Sequence, residues 1–238
     1  MKRRPLWLVD ASDIQDSPSR ADGMSEDEEN YIRRSTCDII FEIGNKVLGE
    51  ESAINTAMVL FNRYVCRCSM VSGQDCLGIA IACILIAGKA TDYVNASRAT
   101  LKTLAPEYIS RKEGLVSITN DLINNTREKL AQIERHVLFL LEYDIDVELP
   151  HLFIQKIIND LINLTGSTMN LNEEFVEATL KIANNFLKTS ICVQYDANTL
   201  AILSIKKSLT ERKIQIQEYD IFLNNKLDST ALQYFKIL

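Results

Sequence analysis

Apolar and polar positions alternate along this chain with a period close to that of a helix, interrupted once by a stretch with no polar face at all. "IAIACILIAGKATDY", Ile79 to Tyr93, carries no charge until Lys89. The uncharged run around it, Cys76 to Gly88, is 13 residues long. A bilayer needs about 20 such residues, so a membrane span is excluded. A helix apolar on every side belongs at the centre of a larger protein, and Lys89 stands where that buried rod reaches a surface.

The segments around it keep helical spacing. "EDEENYIRRSTCDIIFEIGNKVLG" places Tyr31, Ile39, Ile40, Ile43 and Val47 on one predicted face. Its acidic start, Glu26 to Glu29, suits the positive end of a helix dipole. "ESAINTAMVLFNRYVCRC" follows, then the buried rod, then "NASRATLKTL", which Pro106 is expected to close. "TREKLAQIERHVLFLLEYD" completes five predicted helices before Pro150. Four more are predicted beyond it: "HLFIQKIINDLINL", "NEEFVEATLKIANNFLKTSICVQ", "DANTLAILSIKKSL" and "TALQYFKIL". Breaks fall at Gly166–Thr168 and at Asn224–Asn225. With 4 prolines and 8 glycines in 238 residues, breakers are too scarce for a sheet with many turns.

The second half echoes the first. "INTAMVLFNRYV" aligns with "EATLKIANNFLK", Thr56 on Thr179. "IAIACIL" aligns with "LAILSIK", Ala80 on Ala201. Two helical modules of similar plan joined near Pro150 would produce this. In the alignment Lys206 and Lys207 fall where the first module has apolar residues. The second module is therefore expected to turn them outward or to end its helix early.

Composition narrows the function. Apolar content of 47% and charged content of 24% are ordinary globular values. A net charge of −6 argues against a strongly basic face for duplex DNA. Six cysteines and 2 histidines, none at ligand spacing, assemble no zinc site, and the thiols are expected to be free. His136 and His151 are read as structural. The N-terminal "MKRRPLWLVDASD" has no apolar core of useful length, so no signal peptide is expected. No Gly-rich phosphate loop, no Ser/His/Asp set and no ligand cluster is present, so no enzymatic activity and no cofactor are expected. Ser17-Pro18-Ser19-Arg20 has the form of a proline-directed phosphorylation site and, on physical grounds, of a turn leading into the first helix.

The order and spacing of these segments resemble the cyclin family, specifically the transcription-type T, K and L group, from Trp7 to Leu209. "INTAMVLFNRYV" resembles the second helix of a cyclin box, and "IAIACILIAGKATDY" its third. "IERHVLFLLEYDIDVELPH" resembles the fifth helix and its strand-like exit. "SPSRADGMSEDEENYIRRSTCDIIFEIG" resembles the entry into the first box, and "IANNFLKTSICVQYDANTLA" part of the second. Two features depart from the family pattern. Lys89 is followed by Ala90, Thr91 and Asp92 where two acidic residues are usual, and the second module reads "SIKKSL" in place of Leu-Ala-x-Lys.

The resemblance implies an all-α fold of two tandem five-helix cyclin boxes, the second less regular. Its implied layout is an N-terminal extension over 1–24, a first box over 25–149 and a shortened or divergent second box over 150–238. It implies a regulatory subunit that binds and activates a cyclin-dependent kinase, as a heterodimer, in the nucleus. That kinase would be a transcriptional one acting on the C-terminal repeats of RNA polymerase II. Direct nucleic-acid or membrane binding is not expected. The kinase-contacting residues carried over are Lys89, Glu134, Leu138, Tyr143 and Ile145. Glu134 would orient Lys89, and both would bond the main chain of a kinase helix. Two other readings share the fold: a nucleic-acid-binding module of the transcription factor IIB kind, and a scaffold that binds no kinase.

Overall fold

The computed structural model describes residues 7–71, 73–91, 96–114, 118–165, 171–215 and 217–237. Asp92, Tyr93 and the break at Gly166–Thr168 lie outside the described residues. Among those described the secondary structure is helical, without a strand. The chain forms two compact units. One spans Val9–Val147 with Lys188–Ser190, and the other comprises Glu148–Leu187 and Ile191–Leu238, with Trp7 and Leu8.

In the first unit two short helices, α1 (Ala11–Gln15) and α2 (Pro18–Ala21), precede five longer ones. These are α3 (Glu26–Val47), α4 (Glu51–Val65), α5 (Cys76–Ala90), α6 (Ala96–Glu113) and α7 (Asn120–Leu140). α5 is the central rod, packed against α3, α4, α6 and α7. Every residue from Gly78 to Gly88 is buried, as an all-apolar helix too short for a membrane requires. Gly78 permits the closest approach of α7, since a Cβ there would stand 2.6 Å from Ile133 Cδ1. α3 begins with a capping box in which Ser25 and Glu28 satisfy each other's backbone amides.

The buried stripe of α3 differs from the apolar one expected. Tyr31 is 72% exposed, and the stripe begins instead with Glu29 and Arg33 before reaching Cys37, Ile40 and Ile43. Arg33, fully buried, donates from Nη2 and Nε to Glu29 Oε1 at 2.7 and 3.0 Å and from Nη1 to Asn62 Oδ1 at 2.9 Å. Glu29 Oε2 accepts from Ser17 Oγ at 2.5 Å and Arg20 Nε at 3.3 Å. The Ser17-Pro18 stretch is the start of the short helix α2, not a simple turn: Ser17 caps α2, and its hydroxyl is buried against Glu29.

Pro106 does not close the fourth helix. α6 continues through it to Glu113. The lost backbone hydrogen bond costs about 3 kcal/mol, but Leu104 and Ala105 before the proline and Tyr108 and Ile109 after it are all buried, so packing on both sides carries the helix through. The next helix also starts earlier than its charge pattern suggested, because Thr119 caps it at Asn120.

Asp75 clips three of these helices. It caps α5 by accepting from the Gly78 amide at 3.2 Å, takes a hydrogen bond from the Tyr108 hydroxyl of α6, and pairs with Lys129 Nζ of α7 at 2.9 Å. Burial alone would raise its carboxyl, but the hydrogen bonds from Tyr108, Lys129 and the Gly78 amide outweigh it and hold the group down to about 2. An unfolded aspartate titrates near ~3.9. The stabilisation is therefore full above about pH 4 and is lost as pH falls toward 2. Asp75→Asn is expected to be less stable than wild type at pH 6, with the difference closing near pH 2. Urea midpoints of both proteins at pH 6, 4, 3 and 2 check this; a gap independent of pH would show that the carboxylate charge contributes nothing.

The second unit repeats the plan with α8 (His151–Thr165), α9 (Glu173–Leu187), α10 (Ala197–Glu211), α11 (Gln217–Asn224) and α12 (Ser229–Ile237). α10 is its central rod, against α8, α9, α11 and α12. It is less regular than the first unit: its last two helices have only 8 and 9 residues. α11 was not evident in the sequence pattern.

Lys206 and Lys207 depart from expectation. α10 neither ends early nor turns both outward. Lys206 is 6% exposed, and Lys207 is half-buried. The buried ammonium donates to Asn224 Oδ1 at the end of α11 and lies 4.4 Å from the centre of the Phe235 ring of α12. Those two short helices supply the partners that a buried cation needs.

His136 meets the Tyr64 ring edge-on at 6.2 Å, and His151 Nε2 lies 2.8 Å from Asn184 Oδ1. All six cysteines are free. Among the described residues no helix is long and apolar enough to cross a membrane.

Candidate functional site

Lys89 lies in the last turn of α5, where the rod emerges. Its Nζ is 2.5 Å from Glu134 Oε1 on α7. The pair is asymmetric: the Lys89 side chain is 43% exposed and that of Glu134 only 12%. The carboxylate is fixed in the packed wall of α7, and the ammonium stands at its edge with donors to spare.

Below Glu134, the buried positions of α7 run Leu130, Glu134, Val137 and on to Leu141, the spacing of one helix face. Leu138 is half-buried. Phe139 lies two positions beyond Val137, on the far side, and is 68% exposed. α7 then ends in a reversal. Leu138 O accepts the Tyr143 amide at 2.9 Å, and Glu142 and Tyr143 both take positive φ, 54° and 59°. Neither is the glycine that usually ends a helix this way. Tyr143 is 68% exposed and not a core aromatic, and Ile145 is half-buried. The expected strand-like exit is not a strand: residues 144–149 carry no regular secondary structure, and no strand occurs among the described residues.

The exit is held from α4. Arg63, with a side chain 3% exposed, donates from Nη1 to the Asp144 carbonyl at 3.2 Å and from Nη2 to the Asp146 carbonyl at 3.0 Å. Arg67, just past the end of α4, pairs with Glu142 at 3.2 Å.

The five residues named from the sequence therefore lie along one connected piece of structure in the first unit. Lys89 touches Glu134, Glu134 and Leu138 share a helix face, Tyr143 is bonded to Leu138 through the backbone, and the Ile145 amide bonds the Tyr143 carbonyl at 3.1 Å. Arg63 and Arg67, which hold the exit, were not picked out from the sequence, nor was Phe139, exposed on another side of α7. Phe139 was legible in principle: the spacing that buries Leu130, Glu134, Val137 and Leu141 obliges it to face outward. Arg63 left no such signal, because its partners are backbone carbonyls some 80 residues away.

The arrangement is a charged donor joined along α7 and its pinned turn to exposed Tyr143 and half-buried Leu138 and Ile145. That suits docking of a helix or an extended segment of another protein, with Lys89 available to a main-chain carbonyl. Among the described residues no cluster of His, Cys, Asp or Glu has the form of a metal site.

Comparison with known proteins places the fold. The family model of the cyclin N-terminal domain matches residues 7–146. Rice Cyclin-L1-1 is 28% identical over 200 residues, covering 82% of this chain and 44% of the relative. The Arabidopsis thaliana putative cyclin-T1-1 is 27% identical over 200 residues, covering 84% and 76% respectively. This chain thus spans less than half the length of the rice relative. Among solved structures, a chain of the yeast RNA Pol II CTD kinase CTDK-1 complex superposes with a TM-score of 0.70 at 15% identity, over 92% of this chain and 67% of that one.

Proposed function

The chain belongs to the cyclin family, with transcription-type cyclins among its relatives, and from that premise we propose that it is the regulatory subunit of a cyclin-dependent kinase. Its cyclin boxes are residues 25–149 and 150–238. The kinase is a transcriptional one that phosphorylates the C-terminal repeats of RNA polymerase II, and the complex works in the nucleus.

The observation that carries this reading is the Lys89–Glu134 pair at the mouth of the buried α5 rod, continued along α7 by half-buried Leu138 and exposed Tyr143. A kinase helix laid across that surface would find a fixed ammonium for its backbone and an apolar bed for its side chains. Held inward, that helix would complete the kinase's Lys–Glu pair and its metal site. No chemistry is asked of this chain.

Co-purification with recombinant catalytic subunits of transcriptional cyclin-dependent kinases tests the proposal, followed by phosphorylation of a peptide of polymerase repeats. One subunit is expected to form a one-to-one complex and to phosphorylate the peptide only in that complex. Stable capture without activation would make the chain a scaffold, and no capture would remove the kinase reading altogether.

A further inference from the structure

The exit turn of α7 is an unusual thing to build a docking surface on. It is a loop, it reverses direction through two non-glycine residues in the left-handed region, and it carries Tyr143 with 68% of its surface in solvent. Left to itself such a segment would sample many shapes. It does not stand alone here, because a nearly buried guanidinium reaches it from α4. The two Nη atoms of Arg63 bond the carbonyls of Asp144 and Asp146, which bracket Ile145. In extended backbone, carbonyls two residues apart point the same way, and a planar fork can hold both at once. Arg67 secures the start of the turn through Glu142. Arg63 leaves the last turn of α4, and Arg67 leaves the turn just past its C-cap Cys66.

We propose that Arg63 is a positioning residue for partner recognition: it holds residues 142–146 in the shape that presents Tyr143 and Ile145, without touching the partner itself. This rests on the kinase-docking reading above. Its function is preorganisation, since a loop already ordered in the free protein loses less entropy when the partner binds. α4 thereby sets the conformation of a surface that α5 and α7 otherwise build.

The test uses Arg63→Lys, which keeps the charge but has no fork to hold two carbonyls. Two measurements separate positioning from mere stability. In the free protein, amide exchange of Tyr143, Asp144 and Ile145 is expected to quicken about tenfold, with amides of α5 within about twofold of wild type. Against the co-purifying recombinant kinase subunit, affinity is expected to fall about tenfold. That loss is expected to shrink below about twofold when Tyr143→Ala and Ile145→Ala are already present, and to persist in full beside Lys89→Ala. If Arg63→Lys does not fold, Arg67→Ala, which removes a contact whose partners are 44% and 67% exposed, is expected to show the same pattern at about threefold. Uniformly faster exchange across α5, or an equal affinity loss with and without Tyr143 and Ile145, would overturn the inference and leave Arg63 a core residue only. If the wild-type chain captured no kinase, the docking reading would fail and the inference with it. That failure would appear in the unmutated protein, whereas failure of the clamp appears only in the variants.

Discussion

Arg33→Ala is expected to destabilise the first unit by about 3–5 kcal/mol, the loss usual when one member of a buried ion pair is removed. The reason is what would be left behind. Glu29 is 2% exposed, and its Oε1 would lose both bonds from the guanidinium. Asn62 Oδ1 on α4 would lose its bond from Nη1 in the same step. Ser17 and Arg20 still hold Oε2, but Oε1 would be left without its donors in the interior. Glu29→Leu with Arg33→Met tests the logic from the other side. Removing both charges in favour of apolar groups of similar size is expected to recover most of the loss, since neither ion is then stranded. Urea denaturation of wild type and the two variants, read as midpoints at constant slope, decides the matter. A loss under about 1 kcal/mol for Arg33→Ala would mean that water reaches Glu29 and that the pair is not a buried one.

That pair also shows where sequence pattern stops being informative. The stripe expected on α3 took Tyr31 as its first apolar member; the fold buries Glu29 and Arg33 there and exposes Tyr31. Periodicity places a face correctly only when the face is apolar, and a satisfied ion pair looks, in one dimension, like solvent-exposed charge. Lys206 repeats the lesson. Its partners, Asn224 and Phe235, lie on α11 and α12, one of which is an 8-residue helix too short to show a period. By contrast α5 was legible because it has no polar face to misassign. Its counterpart α10 shares its length of 15 residues, and the repeat offset of Ala80 to Ala201 (201 − 80 = 121) also separates Cys76 from Ala197. Pro106 was misread because a local rule was applied where burial on both sides of the proline overrides it. On the candidate surface, residues named from the family pattern were within reach, whereas Arg63 required knowing which backbone its fork would meet.

Lys89→Ala is expected to leave the free protein nearly as stable as wild type and to weaken kinase binding by about 2–5 kcal/mol, the range for truncating one partner of a buried charged hydrogen bond at an interface. The two effects differ because of exposure. In the free chain the lysine side chain is 43% accessible, so its attraction to Glu134 is screened and contributes no more than about 1 kcal/mol. A docked kinase helix would cover that remaining surface, and the same ammonium would then work in a drier setting against a fixed carbonyl. Glu134→Ala is expected to weaken binding as well, because the carboxylate 2.5 Å away sets where the ammonium points. The double variant is then expected to cost less than the two single losses added, since each removes the same unit. Lys89→Arg is expected to restore only part of the affinity: a planar fork does not replace a compact ammonium whose stem is packed at the end of a buried helix. A four-member binding cycle against the activated kinase subunit, with thermal melts of each free variant, measures all of this. Strict additivity would show that Glu134 does not orient Lys89. Unchanged binding by Lys89→Ala would reduce the lysine to a helix-end charge that complements the dipole of α5.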